Sequence, residues 1–227
     1  MRKIDGKLMM QAMPVLALAS VAPNAFPAAQ MGLASLKSLA LIFLLPAAAL
    51  LFALTLWHYL QGSVRLARAV MLGGGAGAAA TLALEAVRYP GFLAGYMPGN
   101  LPQLMGVLLL DRFALGPSEV SNIAGFAYHF WNGASFGILF VVAAEVGIAR
   151  RSILWTTVYG VLIGIGFLAS PVVRSLGGGT FGHEFGPFFI LTVATAHLAF
   201  GAALGFFWKY FDRRYAPATA NNAVRIG

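Results

Sequence analysis

Long apolar runs alternate along the chain with short segments that carry most of its charges. An apolar run of about 20 residues crosses the roughly 30 Å hydrocarbon core of a bilayer as an α-helix. Such runs lie at residues 36–60, 67–87, 119–148, 153–173 and 188–211. The pattern predicts an all-α, polytopic membrane helix bundle.

The first 30 residues have two interpretations. Arg2, Lys3 and Lys7 precede an apolar run that ends at Val21, and small residues and prolines follow. This order is typical of a secretory signal peptide, but it also fits a short first membrane helix. The sequence therefore predicts five or six transmembrane helices within residues 31–214 or 1–214, followed by a polar cytoplasmic tail at 215–227.

One apolar piece is too short to span. Residues 101–110 lie in a stretch rich in proline and glycine, between Pro90 and Pro117. Irregular backbone at membrane depth is tolerated only where protein or a water-filled cavity covers it. We therefore expect a short re-entrant or interfacial helix that caps the bundle, and we expect Pro46 to kink the helix at 36–60.

Composition and charge agree with a membrane location. The 227 residues are 59% apolar and only 10% charged, and the net charge is +8. The basic residues cluster at segment ends, so they predict orientation rather than nucleic-acid binding. We expect a protein of the bacterial inner membrane, and the positive-inside rule predicts a cytoplasmic C-terminus with 88–118 and 174–187 outside. The cytoplasmic clusters are Arg65 and Arg68, Arg150 and Arg151, and Lys209, Arg213 and Arg214.

The sequence contains no cysteine. This excludes disulfides, thiolate zinc sites, iron–sulfur clusters and covalently attached haem. Any bound metal would need His, Asp, Glu, Met or Tyr as its ligands.

A pattern, H-x3-G-A-x2-G, occurs twice: from His129 to Gly137 and from His197 to Gly205. Positions i, i+4 and i+8 share one helix face, so each histidine lies above a groove of small residues that favours close helix packing. Both helices are predicted to run in the same direction, which places both histidines in the outer half of the membrane.

Ionisable residues are costly in lipid and are by default functional candidates. We expect an outward-facing polar site around His129 and His197, to which further residues from the outer end contribute. Three plainer interpretations stay open: a local Glu85–Arg88 ion pair, Asp111 and Arg112 in water at the membrane interface, and neutral histidines bonded to neighbouring helices. The further candidates are Glu85, Arg88, Asp111, Arg112, Glu119, Arg174, His183 and Glu184.

Two uses of this site follow from its residue types. The first is binding of haem b or a divalent metal, with His129 and His197 as ligands and Glu85 or Glu119 nearby. The second is passage of a small solute or proton, with the polar outer residues at the mouth, namely Arg88, Asp111, Arg112, Arg174, His183 and Glu184. A third interpretation is a structural or assembly subunit, working as a homo-oligomer or in a larger membrane complex.

One further motif is relevant to catalysis. Gly133-Ala134-Ser135-Phe136-Gly137 matches G-x-S-x-G, but the serine lies inside a membrane helix and not at the strand–helix turn of an α/β-hydrolase. The layout is similar to that of rhomboid intramembrane proteases, whose Gly-x-Ser-Gly helix pairs with an Ala-His on a later helix. The resemblance implies Ser135 as a nucleophile and His197, which follows Ala196, as its partner.

A second resemblance spreads over the predicted helices from 67 to 211. The histidines that are followed by glycine resemble those of small bacterial inner-membrane proteins of the YagU type. This resemblance implies a location in the inner membrane and no particular chemistry.

Overall fold

The computed structural model describes residues 5–215. In that part of the chain the secondary structure is helical, without β-strands. Arg2 and Lys3, and the predicted tail beyond Tyr215, lie outside the described residues. The α-helices are α1 Gly6–Gln30, α2 Leu36–Leu60, α3 Val64–Leu93, α4 Leu101–Leu109, α5 Glu119–Glu145, α6 Ile153–Ala169, α7 Pro171–Ser175 and α8 Pro187–Arg214, and Thr180–Phe185 is a 3₁₀ segment.

Among residues 5–215, six helices are long and apolar enough to cross a membrane: α1, α2, α3, α5, the α6–α7 pair and α8. The predicted all-α polytopic bundle is confirmed, and the chain is an integral membrane protein. The short apolar piece predicted at 101–110 is the helix α4.

Prolines shape two of the spanning helices. Where Pro46 was expected to kink α2, the helix passes through a π-turn over Ala40–Leu44, in which the Leu45 N–H bonds to the Ala40 carbonyl. Ser170, which precedes Pro171, is extended with ψ 159° and separates α6 from α7. A residue before proline avoids the helical region, so this break follows from the sequence.

The helix α3 occupies the middle of the bundle. It packs against α5 on one side and α8 on the other, α6 packs on α8, and α1 and α4 pack on α5. The helix α2 lies at the periphery against α1 and α3. By contrast α5 and α6 are not closely packed against each other. On this side of the bundle only side chains fill the space between the two helices.

Glycines bring the central helices close together. A Cβ atom at Gly73 of α3 would stand 2.7 Å from the Gly137 carbonyl oxygen of α5, and one at Gly160 of α6 would stand 2.7 Å from Cα of Gly201 on α8. Both contacts are closer than any real side chain allows, so the two crossings depend on glycine. Each crossing lies next to one of the H-x3-G-A-x2-G patterns.

The two ends of the bundle differ in their loops and charges. The short-loop end carries the turns 61–63 and 146–152, and the long-loop end carries residues 94–118 and 176–186. At the short-loop end Glu145 accepts from Arg65 Nε at 3.0 Å and forms an ion pair with Arg151 Nη2 at 2.8 Å. Arg68 binds Asp212 at 3.1 Å at the same end. The structure thus gathers the predicted basic clusters at one end.

Candidate binding cavity

A cavity of about 360 Å³ lies inside the bundle, toward the long-loop end. The helices α1, α3, α5, α6 and α8 contribute to its wall, which is mainly apolar. Among the lining residues both His129 and His197 are present, together with a small set of other polar side chains. These are Asn24, Thr81, Arg88, Asn132 and Ser170.

A cluster of charged groups borders this cavity on α3 and α5. Arg88 donates from Nε to Oε1 of Glu85 at 2.6 Å and from Nη2 to Oε2 at 2.7 Å. Nη2 also donates to Oδ1 of Asn100 at 3.1 Å. The i, i+3 spacing on α3 brings the two charges together, and Arg88 is only 5% exposed. The local ion pair that the sequence left open is therefore present.

His129 extends this cluster across the α3–α5 interface. Its Nε2 lies 2.9 Å from Oε1 of Glu85, within ion-pair distance. The ring nitrogen is not well enough aligned with the carboxylate for a hydrogen bond, so this atom has no hydrogen-bond partner among residues 5–215. Glu85 thus lies between an arginine that binds both of its carboxylate oxygens and an imidazole 2.9 Å away on the neighbouring helix.

Several polar atoms around the cavity are buried without a hydrogen-bond partner in the described part of the chain. Besides His129 Nε2, they include Nη1 of Arg88, Oδ1 of Asn132 and Oγ of Ser170. A buried donor or acceptor left unpaired costs about 1–3 kcal/mol. Each of these atoms is itself almost completely shielded, so a group in the cavity reaches it only after a side-chain rotation.

His197 is held by its own helix. Its Nδ1 lies 2.8 Å from the carbonyl oxygen of Val193, one turn earlier on α8. The ring stacks on Phe167 of α6 with 6.0 Å between centroids and 23° between planes. A Cβ atom at Gly164 would stand 2.9 Å from Cβ of His197, so α6 fits against the histidine only because this residue is glycine.

The other predicted site residues lie apart from the cavity wall. Asp111 pairs with Lys37 at 3.7 Å with its side chain 70% exposed. Arg174 donates to the Ala169 carbonyl at 3.1 Å, and His183 lies 3.5 Å from Glu184 on the surface. Glu119 is exposed in the first turn of α5, and Arg112 is half-buried.

The structure does not assemble the ligand set predicted for a metal. Within residues 5–215, no three His, Asp or Glu side chains are grouped closely enough to hold a metal ion. The pair that does meet is Glu85 and His129, while Glu119 lies outside the cavity wall. For haem, the relevant arrangement is a pair of histidines, His129 and His197, that line the same cavity.

Ser135 and His197 do not form a catalytic pair in this structure. The Ser135 side chain is 0% exposed, and its Oγ makes no hydrogen bond to a described residue. It lies outside the cavity wall that His197 lines. A nucleophilic serine needs a base within about 3 Å, and the nitrogen of His197 that has a close partner is committed to Val193.

Asn24, Asn132 and Ser170 were not singled out from the sequence. Asn132 follows His129 by three residues and so shares its helix face, which is a signal that could have identified it. Asn24 lies in the segment that also fits the end of a signal peptide. Ser170 enters the cavity wall only because the chain breaks before Pro171.

A second cavity, of about 400 Å³, lies among the residues of the long-loop end. It shares Met97, Leu101 and Phe167 with the wall of the first cavity. The two cavities therefore adjoin at these three apolar side chains.

No protein-family model matches this chain, and neither a curated protein nor a solved structure matches it.

Proposed function

We propose that this membrane protein binds a small, mainly apolar molecule that carries a polar group, in the cavity lined by His129 and His197. The observation that carries the proposal is a cavity of about 360 Å³ whose mainly apolar wall includes a few polar side chains, among them His129, Asn132 and His197. Pockets for small molecules have volumes of about 300–1,000 Å³, apolar linings and a few polar groups that orient the ligand.

The open side of the bundle supports a ligand that arrives from the lipid. Phe136 and Leu139 of α5 and Ile163 of α6 line the cavity where these two helices are not closely packed. The Tyr159 hydroxyl donates to the Phe136 carbonyl at 3.2 Å and is one of the few links across this side. A lipid-soluble molecule would meet apolar side chains here and no charged ones.

Binding fits the geometry better than passage across the bilayer. Toward the short-loop end, α3 and α5 meet at the Gly73–Gly137 contact, and Glu145 joins Arg65 and Arg151 beyond it. A solute that crossed from the cavity between α3 and α5 would have to separate both contacts. The predicted role in solute or proton passage therefore receives less support than binding.

Gly166 offers a direct test. It lines the cavity, and no atom lies within 4 Å of the position its Cβ would take. Gly166 is exposed at the edge of the cavity, so a Gly166→Trp substitution places a large side chain at its opening without a clash at Cβ. The matched control is Ile165→Trp, at an adjacent position where the native side chain is 48% exposed and outside the cavity wall.

The experiment titrates 1-naphthol, a small aromatic alcohol, into the protein in lipid nanodiscs, with calorimetry corrected by empty nanodiscs. We expect saturable binding at one site in the wild type and in Ile165→Trp, and loss of that binding in Gly166→Trp. Absence of saturable binding to the wild type, or equal binding by all three proteins, would contradict the proposal.

Haem is a second candidate, favoured by one observation. A metal-ligating histidine usually donates its other ring N–H to a carbonyl or carboxylate, and Nδ1 of His197 is so placed against Val193. His129 lines the same mainly apolar cavity. A Soret band from the purified protein that disappears in His197→Ala and His129→Ala would establish this candidate, and a colourless protein would remove it.

A further inference from the structure

The two nitrogens of the His197 ring have different roles. The Val193 carbonyl oxygen, 2.8 Å from Nδ1, can only accept a hydrogen bond, so Nδ1 carries a proton and donates it. In a neutral imidazole the other nitrogen, Nε2, is then an acceptor. No described residue donates a hydrogen bond to this Nε2, and no described carboxylate forms an ion pair with the ring.

The surroundings keep the ring in this orientation. Phe167 stacks on one face, and the absent side chain of Gly164 leaves room for the histidine against α6. The bond to Val193 fixes rotation about the side chain from within α8. An acceptor held this rigidly next to an apolar cavity loses little conformational entropy when a donor binds to it.

Asn132 also lines the cavity, and its Oδ1, which is shielded in this structure, has no described hydrogen-bond partner. The amide of Asn132 can present either its oxygen or its nitrogen, so its position does not fix the chemistry of a ligand. The lone pair of His197 Nε2 does fix the chemistry of the ligand group, because this nitrogen has no proton to donate. A hydrogen-bond donor is therefore the group that the cavity selects at this point.

We propose that His197 Nε2 accepts a hydrogen bond from a hydroxyl group of the bound molecule, so that the ligand class is a lipid-soluble alcohol or phenol. This inference rests on the proposed binding function and adds the polar group to it. A hydroxyl is a neutral donor that partitions into lipid together with an apolar body. Transfer of a charged ammonium out of water, by contrast, has a large free-energy cost.

Matched probes test the inference on the wild-type protein alone. 1-Naphthol has the hydroxyl, naphthalene lacks it, and 1-methoxynaphthalene keeps the oxygen but has no proton to donate. A net hydrogen bond in such a site corresponds to about a tenfold difference in affinity. We expect 1-naphthol to bind about tenfold more tightly than either other probe, after correction for partition into empty nanodiscs.

Variants assign this difference to His197. In His197→Phe the ring remains but the acceptor is gone, so the ratio of the naphthol and naphthalene affinities should fall to about one. In His197→Gln the amide oxygen replaces the acceptor, and part of the ratio should return. His183→Phe is the control, because His183 is exposed and lies outside the cavity wall.

The outcomes separate the two proposals. If neither naphthalene nor 1-naphthol binds the wild type, the proposed function fails and the inference fails with it. If both bind with equal affinity, or if the ratio persists in His197→Phe, the binding function stands but the assignment to His197 is overturned. A persistent ratio would point to Asn132 as the acceptor.

Discussion

Oε1 of Glu85 and Nε2 of His129 lie 2.9 Å apart across the contact between α3 and α5. The same carboxylate is held from its own helix by Arg88, at 2.6 Å from Nε. Glu85 therefore joins an almost completely buried guanidinium to a histidine of the cavity wall. The cluster therefore stabilises the fold as well as shaping the site, because removal of one charge leaves its buried partner without a counter-ion.

Removal of Glu85 should be strongly destabilising. In Glu85→Ala the guanidinium of Arg88, 5% exposed, loses its counter-ion, and such a loss costs about 3–5 kcal/mol. We expect a large fall in the thermal unfolding midpoint in detergent. The double variant Glu85→Ala with Arg88→Met removes both charges and should recover most of this loss; a double variant as unstable as the single one would contradict the explanation.

The glycine contact between α3 and α5 gives a prediction with a control at the next residue. A Cβ at Gly73 would stand 2.7 Å from a backbone oxygen that cannot move aside, whereas one at Gly74 meets only the flexible end of Ile138 at 3.6 Å. Gly73→Ala should destabilise the protein by about 1–3 kcal/mol. Gly74→Ala should be neutral or stabilising, since alanine favours the helix. Equal melting midpoints for the two variants would show that this contact is not tight.

Much of the fold could be predicted from the sequence, because hydrophobic length alone decides which segments cross a bilayer. The predicted helix at 36–60 has the observed bounds, and the short helix α4 lies where the apolar piece at 101–110 is found. The predicted helix at 67–87 is too short, since α3 continues to Leu93 through Pro90. A proline near the end of a helix costs little when it disrupts few hydrogen bonds, so composition alone did not locate this boundary.

The site could be predicted only in part. Ionisable residues at membrane depth are conspicuous: His129, His197 and Arg88 line one cavity, and Glu85 pairs with two of them. Whether a residue near a helix end faces the interior or the solvent depends on helix rotation, which charge and hydropathy do not determine. At the same end of the bundle, the structure places four other predicted site residues on the surface: Asp111, Arg174, His183 and Glu184.

Glu145 should stabilise the short-loop end. Its side chain is 10% exposed and pairs with Arg65 and Arg151, which are 43% and 42% exposed. Because water screens both arginines, Glu145→Gln should cost about 1–2 kcal/mol, less than loss of a fully buried pair. The control is Glu184→Gln, whose side chain is 64% exposed. A melting midpoint that falls equally in both variants would argue against a specific role for Glu145.

Residues 6–30 should remain in the mature protein. The Tyr128 hydroxyl accepts from the Phe26 N–H at 3.1 Å and donates to the Ala22 carbonyl at 2.8 Å, and so joins α5 to one turn of α1. Ala12 and Val15 of α1 are 0% exposed, and Asn24 lines the cavity. Cleavage near residue 30 would remove one wall of the cavity and expose apolar core surface. We therefore expect intact-mass measurement of the purified protein to show the N-terminal segment in place.

The same hydroxyl gives an independent test of that expectation. Tyr128→Phe loses both bonds to α1 and should lower the thermal midpoint by an amount that corresponds to about 1 kcal/mol, partly offset if Phe26 bonds directly to Ala22. Tyr59→Phe, at a position 55% exposed on α2, is the control and should change nothing. If α1 were removed during maturation, both partners would be absent from the wild type, and Tyr128→Phe would melt like the control. A truncated mass together with that result would favour the signal-peptide interpretation.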